Sequence, residues 1–216
     1  KERRFTGWAD VDLTEEGKLE AKKAGELIKE LNIEFHAYFT SKLKRAINSL
    51  EIILKILNKK NAKIIKSLAL NERHYGSLTS LNKDETIKKF GIEKVQVWRR
   101  SFDTPPPPME KGHPYKNKIH SHILSESLKD TFNRVIPYYQ KNVEPLIADK
   151  KNILIVLHGN SCRSLLKKIL NISKEKITKF EIPTGNPLLI KFGENFKIQE
   201  YKYLDNKRAK KIFFNV

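Results

Sequence analysis

The alternation of helical and strand periodicities in these 216 residues predicts an α/β fold: three layers (α/β/α) around a mostly parallel central sheet. Two stretches carry the prediction. Ile153 to Leu157 is an unbroken apolar run rich in branched residues, the composition of a strand buried on both faces. It stops at His158-Gly159-Asn160-Ser161, and a helical stripe of Leu165, Leu166, Ile169 and Leu170 begins at once. Upstream, Thr14 to Leu70 repeats helix, strand, helix, strand, the order of parallel sheets whose ligands sit at the carboxyl ends of strands. The length suits one domain with an insertion, placed at about residues 77 to 125.

Taken in order, Lys1 to Leu13 is loop-like, with Gly7 and Trp8 at its centre and no strand ahead of it, so an upstream strand is expected. Thr14 caps a helix whose first turn holds Glu15 and Glu16. Ala21, Ala24, Leu27, Ile28 and Leu31 form its buried stripe. Phe35 to Thr40 reads as a short strand, and Ser41 as the cap of the next helix, with Ala46, Ile47, Leu50, Ile53, Leu54 and Leu57 inward. Ala62 to Leu70 reads as a further strand. Beyond a short helix near Lys83 to Phe90 the pattern weakens, and Pro105 to Pro108 breaks helix and sheet, as a lid would. Leu128 to Ile147 is helical, kinked or divided by Pro137 and Pro145. Ser161 suits the cap of the helix after the central strand, and Ser173 to Phe180 is a short helix. Ile182 to Pro187 is a rigid turn, and Leu188 to Phe192 pairs with Phe196 to Tyr203 as a hairpin. Asp205 to Val216 has no clear periodicity.

Composition narrows the function. No apolar run approaches the ~20 residues that span a bilayer, and Lys1-Glu2-Arg3-Arg4 has no apolar segment behind it to form a secretory signal. A lone cysteine, Cys162, excludes an internal disulfide and fits a cytoplasmic protein. Its place after His158 admits a catalytic role, but a small packing residue is the ordinary reading. The net charge of +18 and pI of about 9.8 admit a nucleic-acid surface or a lysine-rich surface with an anion pocket. Scattered lysines and the absence of any nucleic-acid motif favour the second.

Three loops stand at predicted strand ends: Ser41 to Arg45, Asn71 to Gly76 and His158 to Ser161. The last delivers a histidine to a helix N-terminus, where free amides and the dipole favour anions. Arg45 lies within reach of such a ligand and its fork suits phosphate, or it is a surface arginine beside Lys42 and Lys44. Glu72 is either an exposed ion-paired carboxylate or, in a pocket, a proton exchanger for a substrate hydroxyl. Arg99 and Arg100 belong to a basic loop or to a lid closing over an anion. No metal-ligand spacing exists among His36, His74, His113, His120, His122 and His158.

Several segments together match a known family in order. These are Arg4-Phe5-Thr6-Gly7-Trp8, Asp12-Leu13-Thr14, Leu43-Lys44-Arg45-Ala46, Asn71-Glu72-Arg73-His74-Tyr75-Gly76 and Leu81-Asn82-Lys83, followed by Trp98-Arg99-Arg100-Ser101, His158-Gly159-Asn160-Ser161 and Ile182-Pro183-Thr184-Gly185. From Lys1 to about Asp205 the chain resembles the cofactor-dependent phosphoglycerate mutases of the histidine phosphatase superfamily. The resemblance implies that fold and a glycolytic and gluconeogenic isomerase, interconverting 3- and 2-phosphoglycerate through a phosphohistidine primed by 2,3-bisphosphoglycerate, without metal. It also implies roles. Arg45, Glu72 and His158 would be catalytic, with Glu72 exchanging the proton. Thr6, Gly7, Arg73, His74, Tyr75, Lys83, Arg99, Arg100, Gly159 and Asn160 would join Arg45 and Glu72 in binding substrate. Small phosphoglycerates would be the partners, with no nucleic acid or membrane, and a homo-dimer or tetramer is compatible.

Three departures accompany it. The family's nucleophilic histidine, in an Arg-His-Gly motif ending the first strand, would lie upstream of Lys1, so residues 1 to 216 alone are expected to be inactive. The segment from Pro108 to Ser125 is shorter than usual, and the tail is short and atypical. Two alternatives stay open: a histidine-type phosphomonoesterase and an inactive basic binding protein.

Overall fold

The computed structural model describes residues 3–118 and 122–209. Its sheet has three parallel strands, β1 (Ala37–Ser41), β2 (Ile64–Ser67) and β3 (Ile153–Val156), in the order β2-β1-β3. Tyr38 pairs with both Ile64 and Leu154, so the three strands deliver their carboxyl ends to one side.

Side-chain alternation makes the layers. Ala37, Phe39, Ile153 and Ile155 face α5 (Leu128–Asn142) and α7 (Gly159–Ile169), packing on Val135, Ile136, Tyr139 and Leu165. Tyr38, Leu154 and Val156 face α1 (Glu15–Glu30) and α2 (Lys44–Ile56), packing on Ala24, Ile28, Leu50, Ile53 and Leu54. Thr14 caps α1 as expected, its hydroxyl accepting the Gly17 N–H at 3.1 Å.

Several boundaries differ from expectation, each for a local reason. Ser41 ends β1 instead of capping α2, whose cap position is Leu43; the Ser41 hydroxyl accepts the Leu43 N–H and also meets His158. Ser161 lies inside α7, whose cap position is His158, and its Oγ accepts the His158 N–H. The strand expected over Ala62 to Leu70 is only β2, because Leu68–Leu70 turns into a 3₁₀-helix capped by Ser67. β3 is half-buried instead of fully buried, because among the described residues it is paired only on its β1 side. Pro145 divides the long helix: α5 stops at Asn142 and α6 (Glu144–Ala148) restarts with the proline in its first turn.

The insertion opens with α3 (Lys83–Phe90) and α4 (Ile92–Arg100), joined at Gly91. It then folds back over the opening loop, so that Met109, Tyr115 and Ile123 pack on Trp8. Gly76 seats this segment. Its φ is +57° and an added Cβ would fall 2.0 Å from the Pro107 carbonyl oxygen, which accepts the Ser77 N–H at 2.9 Å. After α8 (Lys174–Lys179) the expected hairpin forms as β4 (Leu188–Phe192) and β5 (Ile198–Tyr203), packing on Leu166, Leu170 and Ile177. The tail is a short α9 (Asn206–Ala209), and residues 210 to 216 lie outside the described residues. No described helix is long and apolar enough to cross a membrane.

Candidate active site

The three loops singled out at strand ends come together. At the end of β1, Ser41 Oγ shares a 2.7 Å hydrogen bond with His158 Nε2 at the start of α7. From the loop after β2, Glu72 Oε1 accepts the Asn160 N–H at 3.2 Å and the Arg73 N–H at 2.7 Å. From the first turn of α2, Arg45 reaches under the opening loop and donates to the carbonyls of Gly7 at 2.8 Å and Ala9 at 3.0 Å. One arginine therefore holds the loop carrying Thr6 and Gly7 at the mouth of the site.

Local electrostatics follow from this packing. Burial alone would raise the Glu72 carboxyl. Beside the His158 ring, the two N–H donors and Arg45 outweigh it and hold Glu72 below the usual carboxylate range, so it is ionised at neutral pH and ready to accept a proton. Burial, with the charges of Arg45 and Arg134, lowers His158 to about 3 and keeps it neutral. His74, fully buried against Trp8 with ring centroids 5.3 Å apart, falls to about 4 for the same kind of reason.

These shifts predict acid sensitivity. Unfolding returns both rings to an ordinary value of 6.5, so below that pH the unfolded chain binds protons that the folded chain excludes. Stability should be level above about pH 6.5 and fall as pH drops toward 5, by up to ~1.4 kcal/mol per pH unit for each ring. Urea unfolding at pH 7.5 and 5 checks this; equal unfolding free energies would mean that the rings are not held neutral.

A small cavity beside Asn160 is lined in part by the segment after α3. Arg99 and Arg100, at the end of α4, enclose a cavity of ≈ 10 Å³ with Ser101, Leu128, Asn160, Arg163 and Thr178. Two consecutive arginines share this wall because the helix ends there, with Ser101 already extended. Tyr75 OH lies 3.3 Å from Asn160 Nδ2. Lys83 sits half-buried at the entrance, 5.8 Å above the Phe5 ring. Arg73 and His74 stand apart from this cavity. Arg73 is fully buried beneath Tyr75, with Nη2 donating to the Arg99 carbonyl at 3.2 Å. Its Nε and Nη1 have no hydrogen-bond partner among the described residues.

Four further residues build the site and were not singled out by motif. Arg134 on α5 donates to the carbonyls of Ala69, Asn71 and Glu72, and pairs with Glu126 through Nε and Nη2 at 2.6 and 2.8 Å. Glu126 also accepts the His74 N–H at 2.8 Å, so this pair shapes the Glu72 loop. Ser41 and Arg163 are the others. An arginine on the buried side of α5, beside Thr131 and Val135, was the available signal for Arg134. Cys162 is half-buried, and burial raises its thiol to about 12, which fits packing and not nucleophilic chemistry. Among the described residues no group of three His, Cys, Asp or Glu could hold a metal ion.

Comparison with known proteins identifies the family. A family model described as histidine phosphatase superfamily (branch 1) matches residues 1–201. The 2,3-bisphosphoglycerate-dependent phosphoglycerate mutase of Hydrogenobaculum sp. (strain Y04AAS1) is 44% identical over 225 residues, covering 100% of this chain and 91% of that one. The protein of the same name from Pelagibacter ubique is 46% identical over 220 residues, covering 98% and 92%. Among solved structures, a mycobacterial glucosyl-3-phosphoglycerate phosphatase superposes with a TM-score of 0.68 at 17% identity, covering 93% of this chain and 89% of that one. A phosphoglycerate mutase from Bacillus anthracis str. Sterne superposes with a TM-score of 0.55 at 23% identity, covering 77% and 72%. At those identities the structural likeness speaks for the fold alone, whereas the sequence identities reach further. By full-length similarity the chain belongs to the histidine phosphatase superfamily and, within it, to the 2,3-bisphosphoglycerate-dependent phosphoglycerate mutases.

Proposed function

We propose that this protein interconverts 3-phosphoglycerate and 2-phosphoglycerate through a phosphohistidine, with 2,3-bisphosphoglycerate as primer, in the cytoplasm. The observation that carries the reading is that two chemistries meet at Asn160, whose N–H donates to Glu72 and which lines the cavity of Arg99 and Arg100. A neutral histidine at a helix N-terminus beside Arg45 and ionised Glu72 suits phosphoryl transfer, and Arg99 and Arg100 suit a second anionic group.

In this reading Arg45 and His158 hold the transferring phosphoryl group, and Arg45 with the N–H groups opening α7 neutralises its spread charge. Gly159 and Asn160 lie beside it. Glu72, with Oε1 engaged by two N–H donors, takes the proton from the substrate hydroxyl as that oxygen attacks, and returns it when the other hydroxyl is released. Thr6 and Gly7 contact substrate from the opening loop. Tyr75 and Lys83 line the substrate, Arg99 and Arg100 grip its carboxylate and distal phosphate, and Arg73 and His74 support them from below. The primer supplies the phosphoryl group that charges the histidine, and a pocket of guanidinium groups fits such a polyanion. The acceptor histidine is the one the family resemblance sets upstream of Lys1. His36 is a poor substitute, since it precedes β1 at the end opposite Ser41 and is tied there to Asn152.

The lid arginines test the reading against simple phosphomonoester hydrolysis. Arg99→Ala and Arg100→Ala in the intact protein should each weaken phosphoglycerate binding by roughly 1.5–3 kcal/mol if each makes a charge-assisted bond. Phosphomonoesters without a carboxylate should be affected less. The assay is conversion of 3- to 2-phosphoglycerate beside hydrolysis of a simple ester; equal losses for both would mean that the pair serves the phosphoryl group or the fold.

A further inference from the structure

Arg163 occupies a position that the mechanism above does not use. It lies on α7, one turn after Gly159-Asn160, and lines the small cavity with Arg99, Arg100 and Asn160. Its Nε donates to the Phe180 carbonyl at 2.7 Å, which anchors the guanidinium to the segment after α8. Its Nη1 donates to Asn160 Oδ1 at 3.3 Å. That contact sets the Asn160 amide, whose nitrogen then faces the Tyr75 hydroxyl. A Cβ added at Gly159 would stand 3.6 Å from Arg163 Nη1 and 3.8 Å from Glu72 Oε2. The guanidinium and the proton-accepting carboxylate therefore flank the same residue from two sides.

Among the described residues no carboxylate lies within ion-pair distance of Arg163, although it is half-buried and shares its wall with two other arginines. Arg100 does have one, Glu181 at 3.4 Å. Burial and the charges of Arg100 and Arg73 all work against the Arg163 cation, and only Glu72 and Tyr75 favour it. Holding an anchored, unpaired guanidinium among like charges is unfavourable in the empty site and becomes favourable when an anion enters.

We propose that Arg163 is a further substrate-binding residue, which takes an oxygen of the substrate's second anionic group while fixing the Asn160 amide beside the transferring phosphoryl group. The proposal rests on the mutase reading for the identity of that substrate. Its role differs from that of Arg45: it selects phosphoglycerate over a bare phosphate, because it stands on the Arg99 and Arg100 side of Asn160.

The test is calorimetric binding of 3-phosphoglycerate and of inorganic phosphate to the intact protein and to its Arg163→Gln and Arg163→Lys variants. Arg163→Gln should weaken 3-phosphoglycerate by about 10-fold or more and inorganic phosphate by less than about 3-fold. Arg163→Lys, which keeps the charge and loses the fork, should fall between. In turnover, Arg163→Gln should raise KM more than it lowers kcat. An unchanged affinity for 3-phosphoglycerate, or equal losses for both ligands, overturns the proposal. If Arg163→Gln does not fold, shown by loss of a cooperative thermal transition, Arg163→Lys decides by the same comparison. Wild-type turnover separates the two readings. Tight phosphoglycerate binding without mutase turnover, with the variants still weakened, removes the mutase reading and leaves Arg163. Normal turnover with variants of normal affinity removes Arg163 alone, and no wild-type binding of either ligand removes both.

Discussion

Glu72→Gln in the intact protein is expected to lower mutase turnover by about 100-fold or more while changing substrate affinity far less. The substitution keeps Oε1, which accepts the N–H groups of Arg73 and Asn160, so the loop after β2 should hold its shape. What changes is the second oxygen, which faces Gly159. An amide nitrogen there cannot accept the proton of an attacking hydroxyl. Because Glu72 is held below the usual carboxylate range, wild-type turnover should persist to lower pH than a carboxylate merely buried would allow. Coupled detection of 2-phosphoglycerate, with binding measured separately, checks both parts. Near-normal turnover of the variant would remove Glu72 from proton transfer.

The second large effect concerns the pair that builds the loop rather than the chemistry. Glu126 is almost fully buried, and Arg134 beside it satisfies three backbone carbonyls in addition to the carboxylate. Arg134→Met removes those bonds and strands a carboxylate in the interior, so it should destabilise the protein by about 3–5 kcal/mol. Adding Glu126→Gln should recover part of that loss, since the stranded charge is then gone even though the hydrogen bonds are not restored. Turnover of either variant should stay low, because Arg134 and the indole N–H of Trp8 both bind the Glu72 carbonyl and set where the carboxylate stands. Urea unfolding measures the first two statements. A loss below about 1 kcal/mol for Arg134→Met would mean that water takes over its role and that the Glu72 loop holds itself.

Much of this architecture was legible from periodicity. The stripe of α1 and its Thr14 cap, the short strand β1, the strand β3 and the helix after it, and the final hairpin all rest on local patterns that packing then reinforces. The misread positions are those where a polar side chain had two good local uses. Ser41 and Ser161 are both strong capping residues by propensity, but each hydroxyl is claimed by His158 or its backbone, and the helix starts move by two and three residues. Leu68 to Leu70 continues an apolar run that reads as strand, yet the turn there lets Leu70 enter the core and frees the Ala69 carbonyl for Arg134.

The amino-acid order by itself determined the layers, the strand-end location of the site and three of its ionisable groups, because periods of two and 3.6 and the turn chemistry between them are local properties. Glu72, Arg45 and His158 are all named by loops that follow apolar strands. Which of them touch, and with what charge, was decided only by the tertiary structure. His158 is neutral because folding buries it and brings Arg45 and Arg134 beside it from helices far apart in sequence, and Glu72 is held ionised by donors that include Asn160, 88 residues later. Arg163 looks in sequence like any other cation of a lysine-rich helix; folding places it without a carboxylate partner against Asn160, Arg99 and Arg100. Desolvation and contact between distant segments set these properties, and neither exists in the chain until the sheet and its covering helices assemble around the site.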